Sequence, residues 1–475
     1  MKVVVAQKGA REHYAVARAL YQQVKLAGLV TDWYAFGKQK AETLKAEKLT
    51  SEVANQRLHG PRKVKWGNQK LFQRLSISAF QHFGRRGQSA LAARSDGIPD
   101  DLVQAMPLRS LWWKWRVRKA PQHGQHYDGY VETDAAFASA VARLKLPQHE
   151  VFFGYSYASL EMLTVEKKRG VLTVLDQIDP GLAEFRLVAE EMARFPELAG
   201  EPPEFPTAYY ERNRREWELA DVIVVNSEWT REAIIVEGAN PAKIEILPLA
   251  YEVAQRATTS PQDNETSRPE VRGQRSEVSS PRKAAERQHG EQWSVVSSPP
   301  STLRVLWLGQ VNLRKGIYYL MEAARLLEHE KVHFDVVGAI GILPGAVASA
   351  PNNMTFHGPV SRDEATDWYQ RADVFVLPTL SDGFAITQLE ALAHGLPVIV
   401  TPNCGRVVEN NKTGLIIPPH DAKAFAEAIL RFLHNPGLTI EMGSYCREAA
   451  KAYSVETYGT KLVGIIEKHM SHPKL

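Results

Sequence analysis

Between residues 303 and 420 the chain repeats one rhythm: a short, mainly apolar run, a turn, then a helical period. Leu303–Leu308, Val332–Val337, Asp373–Pro378 and Pro397–Val400 are such runs, and Met354–Phe356 is a shorter one. A strand with one wet face alternates apolar and polar residues, whereas a run without alternation is covered on both faces. That is the property of a parallel sheet sandwiched between helices. The intervening segments fit this. Ile317–Leu327 puts Leu320, Ala323, Ala324 and Leu327 on one helical face. Ser361-Arg362-Asp363-Glu364 reads as a capping box, and Ile386–Ala393 reads as a helix stopped by Gly395.

The first part of the chain repeats the pattern less cleanly. Lys2–Ala6 leads through Gly9 into a helix, and Val171–Leu175, Asp221–Val225 and Ile244–Pro248 are buried-strand candidates. A chain of 475 residues exceeds what one core organises, so two α/β domains are expected. Residues 253–302 are rich in Ser, Pro, Gln, Glu and Arg and poor in large apolar residues, which predicts a disordered linker. Val455–Met470 reads as an amphipathic helix. The expected organisation is therefore 1–252, a linker 253–302, 303–454, and a final segment 455–475.

The net charge of +4 carries no global nucleic-acid signature, so no nucleic-acid partner is expected. The two cysteines, Cys404 and Cys446, form neither a disulfide framework nor a metal cluster. No metal and no cofactor are expected. Val3-Val4-Val5 is too short for a signal-peptide core, and no run approaches the ~20 apolar residues of a membrane span. The expected location is cytoplasmic.

Two motifs carry chemistry. Asp382-Gly383-Phe384-Ala385-Ile386 follows a strand and opens a helix. Backbone N–H groups there can meet a diphosphate or a sugar hydroxyl. Glu390 lies further into that helix among Leu389, Ala391 and Leu392. A carboxylate so placed can accept both hydroxyls of a ribose; the alternative is a solvated helix carboxylate. The second motif is Gly309-Gln310-Val311-Asn312-Leu313-Arg314-Lys315-Gly316, also between strand and helix. Lys315 there is a natural diphosphate clamp, or else part of a surface Arg-Lys pair. The segment is neither a Walker loop nor a Gly-x-Gly-x-x-Gly fingerprint.

Together these motifs resemble the family 4 retaining glycosyltransferases of the GT-B fold, also called glycosyl transferases group 1. Asp382 and Glu390 have the family's spacing of a carboxylate, seven residues, then Glu, and Gly309…Lys315-Gly316 matches its second element. Leu219–Thr230 and Asn411–Pro419 are similar to two further family segments. The resemblance is specific over 303–420, good over 215–250 and weak over 30–170. It implies two Rossmann-like domains facing a cleft, acceptor on the first and donor on the second, with the final helix crossing back. It also implies sugar transfer with retention and without metal. Implied donor contacts are Gly309, Gln310, Arg314, Lys315, Gly383, Phe384, Ala385, Ile386 and Glu390. Lys315 and Asp382 are the expected catalytic residues. Gly9, Arg11 and His13 would form an acceptor loop, unless they simply cap a surface helix.

Three positions depart from the family. Asp382 replaces Glu, Gln310 replaces the Arg after Gly309, and the first-domain His is not visible. In that His region stands Thr173–Pro180, where Asp176 and Asp179 can line the cleft, with Asp176 the expected catalytic group, or Asp179-Pro180 is simply a turn. The departures keep open a degenerate transferase that binds nucleotide or glycan without turnover. A phosphorylase-like enzyme finds no signature for a pyridoxal-phosphate lysine.

Residues 57–119 hold about fourteen Lys and Arg against about three Asp. Leu111–Lys119 sets tryptophans among cations, which suits an anionic membrane interface at the inner face, an acidic acceptor or a single strand, or simple packing into the first domain. The expected function is transfer of a sugar from a nucleotide-sugar donor to an unidentified acceptor.

Overall fold

The computed structural model describes residues 1–9, 14–34, 97–118, 126–251 and 302–471. The 253–302 linker, apart from Thr302, lies outside these, as do Arg11, His13 and most of the basic 57–119 segment.

The first lobe runs β1 (Val3–Gln7), α1 (Ala15–Gln22), β2 (Leu26–Thr31), β3 (Val103–Ala105), α2 (Pro107–Arg118), α3 (His126–Ala142) and β4 (Val151–Tyr155). It continues through α4 (Leu160–Lys168), β5 (Leu172–Gln177), α5 (Leu182–Arg194), α6 (Thr207–Leu219), β6 (Val222–Val225), α7 (Glu228–Val236) and β7 (Ile244–Ile246). Its strands lie in the order β3-β2-β1-β4-β5-β6-β7. Every pairing in this sheet is parallel. Val222-Ile223-Val224-Val225 is buried at all positions, because helices cover both faces.

The second lobe begins with β8 (Leu303–Leu308), α8 (Ile317–Leu326), β9 (Val332–Val337), β10 (Met354–Gly358), α9 (Arg362–Arg371) and β11 (Val374–Leu377). Then come α10 (Ile386–Ala393), β12 (Val398–Val400), β13 (Gly414–Ile416), α11 (Ala422–His434), α12 (Pro436–Ala450) and α13 (Val455–Met470). The order is β10-β9-β8-β11-β12-β13, again all parallel. The Ser361 capping box of α9 is formed in both directions.

In both sheets the order of successive strands reverses beside the first strand, between β1 and β4 and between β8 and β11. In doubly wound sheets this crevice, at the carboxyl ends, is where ligands sit. The final helix α13 packs on the first lobe. Leu462 and Ile466 join Val3 and Leu20 in one core, and Gly459 leaves room for the Ala19 carbonyl. In the other direction, Leu198 after α5 is buried in the core of the second lobe. Phe195 stacks on Tyr318 at 3.8 Å.

Candidate active site

The loop after β8 brings Arg314 and Lys315 to the crevice. Asn312 caps a single 3-10 turn over Leu313–Lys315, and Gly316 closes it with φ 74° before α8 starts at Ile317. A Cβ on Gly316 would lie 1.8 Å from the Pro378 carbonyl, so only glycine lets this loop nest against the end of β11. Lys315 therefore stands just ahead of α8 rather than in its first turn. Its ammonium pairs with the Asp382 carboxylate, and each side chain is only 13% exposed. Burial, then the Arg314 guanidinium beside it, push the ammonium below the lysine range to about 7; Glu184 opposes this.

Asp382-Gly383 forms the seam between the lobes. A Cβ on Gly383 would meet the Ile178 carbonyl at 2.4 Å and Asn226 Nδ2 at 2.9 Å, both in the first lobe. Trp229 Nε1 donates to Ser381 Oγ at 2.9 Å, and Ser381 Oγ donates to Glu184 Oε2 at 2.9 Å. Arg314 donates to the Ser381 carbonyl at 3.1 Å and lies 3.4 Å from Glu184 and 3.7 Å from Asp382. Burial raises the Glu184 carboxyl above its usual range, against the pull of Arg314.

Next comes α10. The Asp382 amide is spent on the Asn403 carbonyl and the Ala385 amide on the Cys404 carbonyl. The first two helical amides, Ile386 and Thr387, have no acceptor among the described residues, as expected of a helix N-terminus. Phe384 is buried in the second-lobe core, so its ring supports the turn and only its backbone can reach a ligand. Glu390 Oε2 accepts from the Tyr369 hydroxyl at 2.8 Å, and the Tyr369 ring stacks on His394. Gln310 is exposed beyond Gly309.

In the first lobe a cavity of about 600 Å³ opens at the β1/β4 switch point. Lys8 and Gly9 line it from β1, Tyr155 to Ala158 from β4, and Trp113 and Asp134 from the helices. Tyr157 keeps a left-handed backbone, φ 70°, which costs a non-glycine residue roughly 1–3 kcal/mol. Its surroundings hold it there. Glu216 accepts the amides of Tyr157, Ser159 and Leu160 at 2.6, 2.8 and 3.0 Å. Arg212 donates to the Tyr157 carbonyl at 2.6 Å. Burial raises the Glu216 carboxyl to about 7, with Arg212 opposing. The Tyr157 hydroxyl donates to Asp179 at 2.7 Å, which ties the cavity to the seam. Asp179 also accepts from the Gly181 amide at 2.9 Å, so it is both turn residue and seam residue. Asp176 is buried at the end of β5, its carbonyl accepting from Ser156.

Residues 302–435 match the family model described as glycosyl transferases group 1. The second lobe is a glycosyl transferases group 1 domain. Curated relatives similar to this chain include D-inositol 3-phosphate glycosyltransferases. That of Arthrobacter is 28% identical over 192 residues, 36% of this chain and 46% of the relative. That of Xylanimonas cellulosilytica is 29% identical over 168 residues, 33% and 40%. The chain thus spans less than half the length of these relatives. Across nearly the whole chain the fold is that of GT-B glycosyltransferases. Sucrose-phosphate synthase from Thermosynechococcus elongatus superposes with a TM-score of 0.54 at 16% identity, covering 99% of this chain and 100% of that one. Anabaena Alr3699/HepE in complex with UDP gives 0.53 at 12%, covering 98% and 100%.

Lys315, Arg314, Asp382 and Gly383 thus meet at the crevice of the group 1 domain. Gly309, Ile386 and Glu390 lie on the same loop-and-helix edge, and Gly9 borders the separate first-lobe cavity. Sequence reasoning missed Glu184, Trp229 and Tyr369. Only Trp229 had a visible signal, lying in a segment already noted.

Proposed function

We propose that this chain is a glycosyltransferase moving a sugar from a nucleotide-sugar donor, held by the second lobe, to an acceptor in the first-lobe cavity. The observation that carries this reading is the seam. The two cations of the β8 loop both reach Asp382, which lies four residues ahead of α10, and Gly383 beside it abuts Ile178–Asp179 of the other lobe.

In this reading Glu390, oriented by Tyr369, accepts the ribose hydroxyls. Lys315, Arg314 and the Ile386 and Thr387 amides meet the diphosphate. These donors neutralise the charge that grows on the leaving diphosphate, where their effect on rate is largest. Asp382 gives up its ion pair with Lys315 as the diphosphate enters and faces the transferred sugar. Asp176, buried at the end of β5, would act on the acceptor side. Transfer proceeds with retention and without a metal.

Helix α2 supports a location at an anionic membrane face. Trp112 and Trp115 are 49% and 52% exposed, whereas Trp113 between them is 3% exposed and packs against Phe137. Among the described residues no helix is long and apolar enough to cross a membrane.

The test is a thermal-shift screen with nucleoside diphosphates, UDP first, followed by donor hydrolysis. A ligand of the folded state raises the melting temperature by mass action. Stabilisation by a nucleoside diphosphate, lost in Lys315→Ala, is expected. No stabilisation by any nucleoside diphosphate would sink the reading.

A further inference from the structure

The carboxylates around the seam are engaged in different ways. Asp382 pairs with Lys315. Glu184 Oε2 accepts from Ser381 Oγ at 2.9 Å and has Arg314 at 3.4 Å. At the first-lobe cavity Asp134 pairs with Lys8. Asp179 is held in another way. Its Oδ1 accepts the Tyr157 hydroxyl at 2.7 Å, the Gly181 amide at 2.9 Å and Gln177 Nε2 at 3.4 Å. Its Oδ2 has neither a hydrogen-bond donor nor a cation among the described residues.

Donors gathered on one oxygen fix the plane of a carboxylate and so the direction of the other oxygen. The Gly181 bond spans two residues as an Asx turn does, and Pro180 between them restricts the backbone. Asn226 Nδ2 donates to the neighbouring Ile178 carbonyl at 3.0 Å. The Tyr157 ring stacks on Tyr209 at 4.0 Å, and Glu216 holds its loop. Burial, and then the Asp179 charge, raise the Tyr157 phenol well above its ordinary range, so it stays a donor.

The position of Asp179 joins the two sites. Tyr157 and Ser156 line the first-lobe cavity, and Ser156 Oγ accepts the Ile178 amide at 3.5 Å. On the other side, the Asp179 Cα would lie 3.2 Å from a Cβ on Gly383, the neighbour of Asp382. A hydroxyl that goes from the cavity to a sugar held at the donor loop passes between these contacts.

We propose that Asp179 is a catalytic residue of the acceptor side, its Oδ2 accepting a hydrogen bond from the attacking hydroxyl and aiming that oxygen at the donor sugar. This rests on the transferase reading and narrows its acceptor side, since Asp176 on the same segment is 4% exposed. In the step, the acceptor oxygen bonds to the anomeric carbon. The bond from that carbon to the diphosphate oxygen breaks with its electron pair on the diphosphate, which takes up the hydroxyl proton.

Donor hydrolysis tests this, because water then stands in the acceptor's place. The full chain is given UDP-glucose, UDP-N-acetylglucosamine and GDP-mannose, and UDP and GDP are titrated by calorimetry. Asp179→Asn keeps an oxygen for Tyr157 and Gly181 but turns Oδ2 into an amide donor. It should lower kcat for the best donor about tenfold to a hundredfold, as loss of a charge-assisted contact does. Donor KM, diphosphate affinity and melting temperature should stay nearly unchanged. Asp179→Ala, which also strands Tyr157 and Gly181, should lower the melting temperature as well. Full kcat in Asp179→Asn would make Asp179 a turn residue only, overturning the inference while the transferase stands. A loss of kcat confined to Asp176→Asn does the same. A loss of kcat matched by an equal loss of diphosphate affinity would place Asp179 in the donor site and also overturn it. A natural protein that cleaves none of the three donors sinks the transferase reading and this inference together.

Discussion

The Tyr369 hydroxyl on α9 donates to Glu390 Oε2 on α10 at 2.8 Å, fixing the direction of the carboxylate proposed to hold the ribose. Burial, and then Glu390 itself, raise the phenol well above its ordinary range, so it stays a donor at every working pH. Glu390→Gln should cost nucleoside diphosphate affinity about tenfold, the loss of a charge-assisted pair. Tyr369→Phe should cost roughly threefold, because the carboxylate remains but is no longer aimed. The double variant should fall short of the sum, since both act on one contact. Calorimetry with UDP checks this; unchanged affinity in a folded Glu390→Gln removes the ribose role.

Asp382 and Glu390 should separate by assay. Asp382→Asn should reduce turnover of the full donor more than it weakens the bare diphosphate. It releases Lys315 from its ion pair while removing the group proposed to face the sugar. Paired kinetics and calorimetry read the two effects. Equal losses in both would place Asp382 on the diphosphate instead.

If Lys315 holds the diphosphate as proposed, donor binding should depend on pH. Its folded value lies near 7, below the ordinary 10.5. Between those values the unfolded chain holds the extra proton, so through this residue stability rises with pH across that window. Binding a diphosphate needs the charged form, so affinity should fall as pH rises above about 7, with proton uptake on binding. Calorimetry at pH 8 in two buffers of different ionisation enthalpy detects that uptake. Lys315→Arg, always charged, should abolish it.

The seam leaves no room at Gly383. Gly383→Ala would drive a methyl into the Ile178 carbonyl and the Asn226 amide. The lobes must then part, and a misplacement of about 1 Å lowers turnover about a hundredfold. UDP affinity should change little, because the ligand edge of the second lobe is intact. Kinetics with small-angle scattering checks this, and unchanged turnover would show that the seam does not set the reacting geometry.

On α2 the neighbouring tryptophans should behave oppositely. Trp112→Ser with Trp115→Ser should weaken sedimentation with anionic vesicles while leaving the melting temperature nearly unchanged, since both are half exposed. Trp113→Ala should destabilise by about 3–5 kcal/mol, as a buried ring does. Retained vesicle binding in the double variant would remove the membrane contact.

The chain's own order of residues determined the two parallel sheets, the turn at Asp382-Gly383 and the loop ending at Lys315. Those features are local: mainly apolar runs demand cover on both faces, and a helix start is marked by the residues beside it. It did not reveal that Lys315 pairs with Asp382 across 67 residues, or that Glu184 reaches Arg314 across 130. Nor did it show Glu216 plugging the start of α4, or Tyr369 aiming Glu390. Asp179 illustrates the limit, because as a turn residue it was legible, but its bond from Tyr157 was not. Only the tertiary structure decides such pairs, since a buried charge is satisfied by whichever groups the packed sheets bring within hydrogen-bond reach, and spacing along the chain does not encode that distance.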